Sequence, residues 1–236
     1  MKFAIISPSE LPIPATKGGA VETGIQQIID KNENFKQAEI HIFSYYDTEA
    51  ETISKKYHYS KFWYYKPKKI NKLMTYIIKG INMIYRKIDL KKQYNTRIAY
   101  IRYVKKIIAK ENYDAILIKN NEKYVLPIHK CTNSKIFLQL HNDILNKDIY
   151  NSTKIANSCY KIISNSNYIK TRVKTIVNID DEKLLINLNC LELDRYENID
   201  NSTLKLIKKQ NNINDNDKII LYSGRMVPQK GIKELL

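Results

Sequence analysis

The feature that most constrains the fold is a series of short apolar runs separated by helix-like segments. The runs are Lys2–Ile6, Glu39–Ser44, Tyr57–Tyr65, Tyr113–Ile118, Lys135–Leu140, Tyr160–Ser164 and Leu184–Leu188. Runs of this length, rich in isoleucine and aromatic residues, are typical of buried strands. Strands that alternate with helices form mostly parallel sheets, which helices cover on both faces. We therefore expect an α/β fold, a doubly wound, mostly parallel Rossmann-like sheet of about six or seven strands, over residues 1–196.

Glycines and polar residues follow these predicted strands. They are Gly18, Gly19, Asn120, His141, Ser166 and Asn189. In open parallel sheets, ligands bind outside the carboxyl ends of the strands, so one crevice could contain all of these residues. Glycines let the backbone approach a ligand closely, although the glycine pair also fits a plain strand-to-helix turn. A histidine that is hydrogen-bonded at a strand end remains an alternative for His141.

The C-terminal stretch 218–236 reads KIILYSGRMVPQKGIKELL. It predicts a strand over Lys218–Ser223, a short loop, and a helix that starts near Gly231. Arg225 and Lys230 lie in or beside the loop, where a guanidinium and an ammonium at a helix N-terminus suit a diphosphate. The alternative is that both are solvated charges in a very basic chain.

In their order, these segments resemble the motifs of family-4 glycosyltransferases, two-domain GT-B enzymes that transfer sugars from nucleotide donors. The pattern S-G-R-x-x-x-x-K-G around Arg225 resembles the start of their second domain, and SPSELPIPATKGGAVET resembles their first strand and glycine loop. LQLHND around His141 and IISNSNYIKTRV around Ser166 resemble two further family segments. LINLNCLELDRY resembles the segment that closes the first domain, with Cys190 and Glu192 in place of the usual glycine and aspartate.

The resemblance implies a retaining, hexosyltransferase-like enzyme. Arg225 and Lys230 would hold the donor diphosphate without a metal, and His141 would orient the donor sugar or the acceptor. The residues predicted to bind donor or acceptor are Gly18, Gly19, Asn120, Ser166 and Asn189. The nucleotide sugar is a substrate, so no cofactor is expected, and the second partner is a glycan or a lipid-linked acceptor. Surface polysaccharide or glycolipid assembly is the usual setting of such enzymes.

The resemblance also divides the chain. Residues 1–196 match the acceptor-side domain, 197–217 form a polar linker with a short helix at Ser202–Lys209, and 218–236 begin the nucleotide-sugar-binding domain. Most of that second domain would be missing, including its pair of glutamates. We therefore expect the 236-residue chain to fold but to be inactive by itself.

Positive charge is concentrated in one segment. The formal charge is +16, and 14 basic residues but only one acidic residue, Asp89, lie between Lys66 and Lys110. Such a field suits phosphate-rich partners. Within this segment, an apolar stripe at helical spacing from Ile70 to Ile88 is expected to face the protein core and to leave lysines outside. This predicts charge-driven, reversible attachment to anionic membranes.

The same segment supports an alternative function, a non-catalytic α/β module that binds an anionic membrane or an acidic glycan. Nucleic-acid binding would rest on charge alone, since no helix-turn-helix, zinc or RNA-binding signature is present, and is not predicted.

The three cysteines, Cys131, Cys159 and Cys190, include no C-x-x-C pair, which argues against a disulfide framework and a zinc site. No run reaches the ~20 apolar residues that span a bilayer. These features predict a cytoplasmic protein, peripheral at the inner face of the membrane.

Overall fold

The fold is organised around one parallel sheet. The computed structural model describes residues 1–8, 11–87, 94–190, 200–223 and 231–235. Its strands are β1 (Lys2–Ile6), β2 (Glu39–Tyr45), β3 (Ser60–Tyr65), β4 (Ala115–Lys119), β5 (Lys135–Leu140), β6 (Lys161–Ser164) and β7 (Leu184–Ile186). Its α-helices are α1 (Ala20–Phe35), α2 (Thr48–Ser54), α3 (Lys69–Lys87), α4 (Ile98–Ile108), α5 (Val125–His129), α6 (Ser152–Ser158), α7 (Asn167–Lys174), α8 (Asn201–Gln210) and α9 (Ile232–Leu235).

The strand order in the sheet is β3-β2-β1-β4-β5-β6-β7, and every neighbouring pair is parallel. The order reverses between β1 and β4, because β2 and β3 extend the sheet to one side and the later strands extend it to the other. The connections that leave β1 and β4 therefore diverge and open a crevice at their carboxyl ends. The predicted doubly wound α/β class is confirmed.

Helices bury both faces of the sheet. Ala4 and Ile6 point into one hydrophobic cluster, to which α4 contributes Tyr100 and Val104. Ile5 points to the opposite face, where the cluster includes Ile25 and Ile29 of α1. This alternation within β1 is what a central strand with helices on both faces requires.

The chain divides into two compact units, Met1–Asn189 and Cys190–Leu236. In the second unit, α8 begins at Asp200, whose side chain accepts hydrogen bonds from the backbone N–H groups of Ser202 and Thr203. A short helix in this polar stretch was expected and is present. The domain bounds at residues 196 and 217 stay a prediction.

The strand predicted over Lys218–Ser223 is wrong. These residues have no regular secondary structure, and the side chains of Ile219, Ile220 and Leu221 are 62%, 82% and 86% exposed. A strand forms only when a neighbouring strand accepts and donates its backbone hydrogen bonds. Among the described residues, the only sheet is the one in the first unit, and it does not include this segment.

The predicted orientation of α3 is also wrong. Its apolar stripe does not face the core, since Leu73, Ile77 and Ile84 are 59%, 55% and 55% exposed. A row of polar side chains takes the inner face, where Asn71 donates a hydrogen bond to the Tyr65 hydroxyl at 2.9 Å. These polar contacts, rather than the apolar stripe, decide which side of the helix meets the protein.

Candidate functional site

The crevice at the switch point contains a buried cation, Lys119, at the end of β4. Lys119 is 2% exposed, and its Nζ donates a hydrogen bond to Gln139 Oε1 at 2.6 Å. Gln139 is its partner in the register of β4 and β5. Burial lowers the pKa of Lys119 to about 8, and the negative charge of Glu22, itself 3% exposed, opposes that shift. At neutral pH the ammonium is therefore still mostly protonated, in surroundings where a charge acts strongly.

Asn120 and His141 are joined beside Lys119. Asn120 has a left-handed backbone, with φ of 45°, and its Oδ1 accepts a hydrogen bond from the His141 backbone N at 2.9 Å. The Asn120 backbone N donates to the Gln139 carbonyl at 2.7 Å. Asn165 Nδ2 donates to the His141 carbonyl at 3.4 Å. The residues that follow β4, β5 and β6 thus form one connected edge, as the sequence predicted for Asn120 and His141.

The His141 imidazole is neutral. Burial, together with the positive charge of Lys119, lowers the pKa of His141 to about 4. Its Nε2 is buried and has no hydrogen-bond partner within the described part of the chain. A neutral imidazole can donate or accept one hydrogen bond at this nitrogen, so His141 can orient a hydroxyl group, but it is a poor base at neutral pH.

We expect this shift to appear in the pH dependence of stability. The folded-state pKa of about 4 lies below the ordinary value of 6.5, so the unfolded chain binds more protons between these values. The contribution of neutral His141 to the free energy of unfolding is complete above pH 6.5 and is lost as the pH falls towards 4. We expect the loss to be about 2 kcal/mol once solvent screening of the partly buried ring is allowed for. Chemical denaturation across this range tests the prediction. His141→Asn should remove this contribution and reduce the slope, while the contribution of His41, whose pKa is also lowered by burial, should remain.

Buried polar atoms without partners gather at the same edge of the sheet. They are Ser7 Oγ after β1, Ser164 Oγ at the end of β6, Asn165 Oδ1, and His141 Nε2. Buried polar groups are normally hydrogen-bonded, so such a group of exceptions in the described structure indicates a place where a ligand or water supplies the partners. Sequence analysis did not assign Lys119, Ser7 and Ser164. The available signal was that each is a polar residue at the end of an apolar run.

Gly18 and Gly19 form the loop before α1, and both have positive φ, 70° and 100°. A Cβ on Gly19 would lie 2.8 Å from Leu11 Cδ1 and would clash with the Glu22 carboxylate. Glycine is therefore required here by backbone conformation and by space. Glu22 lies in the first turn of α1, where a carboxylate stabilises the positive end of the helix.

Gly19→Ala is expected to destabilise the fold by about 1–3 kcal/mol, because alanine at this φ is strained and its Cβ has no room. Gly24 provides the matched control within the same helix. A Cβ on Gly24 would meet nothing within 4 Å, so Gly24→Ala should stabilise the protein by roughly 0.5–1 kcal/mol. Thermal or urea denaturation of the two variants measures whether each substitution raises or lowers the free energy of unfolding. Equal effects would show that Gly19 is not conformationally required.

The other predicted site residues are placed differently. Ser166 caps α7, and its Oγ accepts a hydrogen bond from the Ile169 backbone N at 3.3 Å, which gives the hydroxyl a structural role. Asn189 is exposed and lies beyond β7, the outermost strand, two strands away from β5. Arg225 and Lys230 lie outside the described residues. Their roles, like those of Gly18, Gly19, Asn120, His141, Ser166 and Asn189, stay predictions.

A second cavity, of about 370 Å³, lies beside the carboxyl ends of β2 and β3. Its lining includes aromatic rings, polar groups and two cations: Tyr45, Tyr65, Tyr100, Thr75, Lys79 and Arg97. Tyr45 and Tyr100 pack with ring centroids 4.8 Å apart. Aromatic faces combined with cationic groups suit a ligand that has both ring-shaped and anionic parts. We call this space the tyrosine cavity.

No family model and no curated protein matches the sequence. Solved structures do match. A glycosyltransferase from Rickettsia africae ESF-5 superposes with a TM-score of 0.64 at 18% identity, over 98% of this chain and 54% of that one. The trehalose-6-phosphate synthase OtsA superposes with a TM-score of 0.53 at 10% identity, over 90% of this chain and 56% of that one. The chain spans about half the length of these proteins, and over that half it shares their doubly wound α/β fold.

Proposed function

We propose that the chain is part of a glycosyltransferase that moves a sugar from a nucleotide-sugar donor to a glycan or lipid-linked acceptor. The observation that carries this proposal is the crevice at the β1–β4 switch point. It contains the buried Lys119 ammonium and a neutral His141 whose Nε2 is buried without a partner in the described structure. Two solved structures with this fold, a glycosyltransferase and a trehalose-6-phosphate synthase, support the reaction class.

The chemistry follows from the charges. When the sugar leaves its nucleotide, negative charge develops on the diphosphate, and fixed cations in a closed crevice stabilise it without a metal. Arg225 and Lys230 are proposed to hold the diphosphate. Within the first unit, Lys119 is proposed to supply positive charge to the crevice at the β1–β4 switch point. The described residues contain no group of three His, Cys, Asp or Glu side chains that could hold a metal ion.

His141 suits the retaining course of reaction that we propose. In that course the acceptor hydroxyl attacks from the face of the leaving group, and its proton passes to the departing phosphate, so the protein need not supply a strong base. The pKa of His141, lowered to about 4 by burial and by Lys119, leaves the imidazole neutral and able to orient a sugar or acceptor hydroxyl. Gly18, Gly19 and Asn120 would contact donor or acceptor from the same edge.

The tyrosine cavity supports an acceptor that carries both sugar and phosphate. The edges of its buried tyrosines can pack against a sugar ring, and Arg97 can attract an anionic group. We accordingly propose a hexosyltransferase of polysaccharide or glycolipid assembly, which works in the cytoplasm at the inner face of the membrane. We also propose that turnover needs sequence beyond Leu236, since the superposed structures are nearly twice as long.

A transfer assay tests these proposals. The protein is incubated with a panel of nucleotide sugars and with lipid extracts as acceptors, and both release of the nucleotide diphosphate and incorporation of sugar are measured, with and without EDTA. The 236-residue chain and a chain extended along its reading frame are compared. We expect EDTA-resistant transfer by the extended chain only. Absence of release with every donor would contradict the transferase assignment, and would favour the alternative of a non-catalytic module that binds an anionic membrane or acidic glycan.

A further inference from the structure

The helix α3 leaves a large apolar surface uncovered. Its seven exposed apolar side chains are each at least 41% exposed: Ile70, Leu73, Met74, Tyr76, Ile77, Met83 and Ile84. We call these residues the α3 stripe. Scattered apolar residues on a surface are ordinary, but seven exposed apolar side chains on one helix are a feature of surfaces that bind a partner or a membrane.

The inner face of α3 carries Asn71, Thr75 and Asn82 together with the half-buried Ile78 and Tyr85, so polar contacts form much of its attachment to the protein. Thr75 Oγ1 donates a hydrogen bond to the Thr96 carbonyl at 3.1 Å. Asn82 exchanges two hydrogen bonds of 2.8 Å with the backbone of Tyr94. These bonds, with the one from Asn71 to Tyr65, hold the polar side against the protein. Rotating α3 to bury the stripe would break all of them, so the outward direction of the stripe is built into the fold.

The charge around the stripe selects its partner. Exposed lysines border it at Lys66, Lys68, Lys69, Lys79 and Lys87, within the segment that carries 14 basic residues and one acidic residue. A second copy of this chain docked through the same face would bring two such positive fields together, which opposes a symmetric dimer. An apolar surface bordered by lysines instead matches the boundary between anionic lipid headgroups and acyl chains.

We propose that α3 lies in the headgroup layer of an anionic membrane, with the α3 stripe in contact with the acyl chains and the bordering lysines on lipid phosphates. None of the described helices is long and apolar enough to cross a bilayer, so the helix lies along the surface. Insertion of the stripe, in addition to charge, then holds the protein on the membrane. This inference does not rest on sugar transfer and would hold for a non-catalytic protein as well.

Flotation with vesicles tests the proposal. The protein is mixed with vesicles of phosphatidylcholine, with or without phosphatidylglycerol, in low and in high salt. The variant Leu73→Gln/Ile77→Gln removes apolar contacts without adding charge, and Phe35→Gln/Val177→Gln is the matched control at two side chains that are 68% and 67% exposed elsewhere. We expect the α3 variant to lose binding to anionic vesicles by roughly tenfold or more, and the control to bind like the parent protein. High salt should weaken binding of the parent protein to anionic vesicles. In high salt the parent protein should still bind more than the α3 variant does.

A second measurement separates insertion from adsorption. The chain has one tryptophan, Trp63, so Ile77→Trp in a Trp63→Phe background provides a single reporter within the stripe. Its emission should shift to the blue on anionic vesicles, and lipids brominated in their acyl chains should quench it. Unquenched emission, or equal binding by Leu73→Gln/Ile77→Gln, would overturn the proposal. A lipid-free dimer that this variant converts to a monomer would show that the stripe is an interface between copies.

Discussion

In a chain that transfers sugar, Lys119→Met is expected to lower the rate of transfer by about 100- to 1000-fold, the effect of losing one preorganised charge contact in the transition state. Lys119 is positioned for this role because β4 ends at the switch point and buries its side chain, so that little water screens the ammonium. Methionine has a similar length and shape, so the substitution removes the charge and leaves most of the packing in place.

The same substitution should raise the free energy of unfolding. The pKa of Lys119, lowered to about 8 by burial, lies below the ordinary value of 10.5, so the folded protein bears the cost of a buried charge at every pH below about 8. Removing the charge should raise the free energy of unfolding by about 2–3 kcal/mol. The loss of the hydrogen-bond donor to Gln139 Oε1 should offset roughly 1 kcal/mol of that gain. A more stable but slower enzyme is the pattern expected of a residue retained for function.

Three measurements distinguish this role from a structural one. Lys130→Met, at an exposed lysine, is the matched control and should change neither rate nor stability. In the same active chain, transfer by the parent sequence should slow as the pH rises through about 8, where the folded-state pKa of Lys119 lies, and Lys119→Met should lack this step. The pKa of His141, now lowered partly by Lys119, should rise towards its ordinary value in the variant, as followed by NMR. A loss of both rate and stability in Lys119→Met would contradict our interpretation.

The sheet was predictable because buried strands leave a strong pattern. Seven apolar runs matched seven strands, and their alternation with helices was enough to predict that the sheet is mostly parallel, although not the order of its strands. The joined position of Asn120 and His141 followed from the same reasoning, since both come directly after strands. What the pattern could not show was that Lys119, which directly follows the run Tyr113–Ile118, is buried at that edge, because its burial depends on neighbours far away in the sequence.

The misassigned elements share a physical cause. Helical spacing predicted the apolar stripe of α3, but not the side of the helix that faces the protein, which depends on partners such as Tyr65 and Thr96. The run Lys218–Ser223 has the composition of a strand, but strand formation requires a neighbour that the sequence pattern does not reveal. A serine between strand and helix, as at Ser166, fits both a ligand contact and a helix cap, and the structure shows that it is at least a cap.

Arg225→Ala and Lys230→Ala are each expected to reduce turnover by about ten- to a thousand-fold in a chain that transfers sugar. Both residues lie outside the described structure, so this prediction rests on a sequence pattern that is typical of a diphosphate-binding loop. If the two cations act mainly on the charge that develops as the diphosphate leaves, kcat and kcat/KM should fall together. Arg225→Lys should restore only part of the rate, because an ammonium cannot form the paired hydrogen bonds of a guanidinium.

Lys218→Ala and Lys233→Ala, at exposed lysines of the same region, are the controls and should leave the rate unchanged. Parent-like rates for both Arg225→Ala and Lys230→Ala would contradict the assignment of these two residues to the diphosphate.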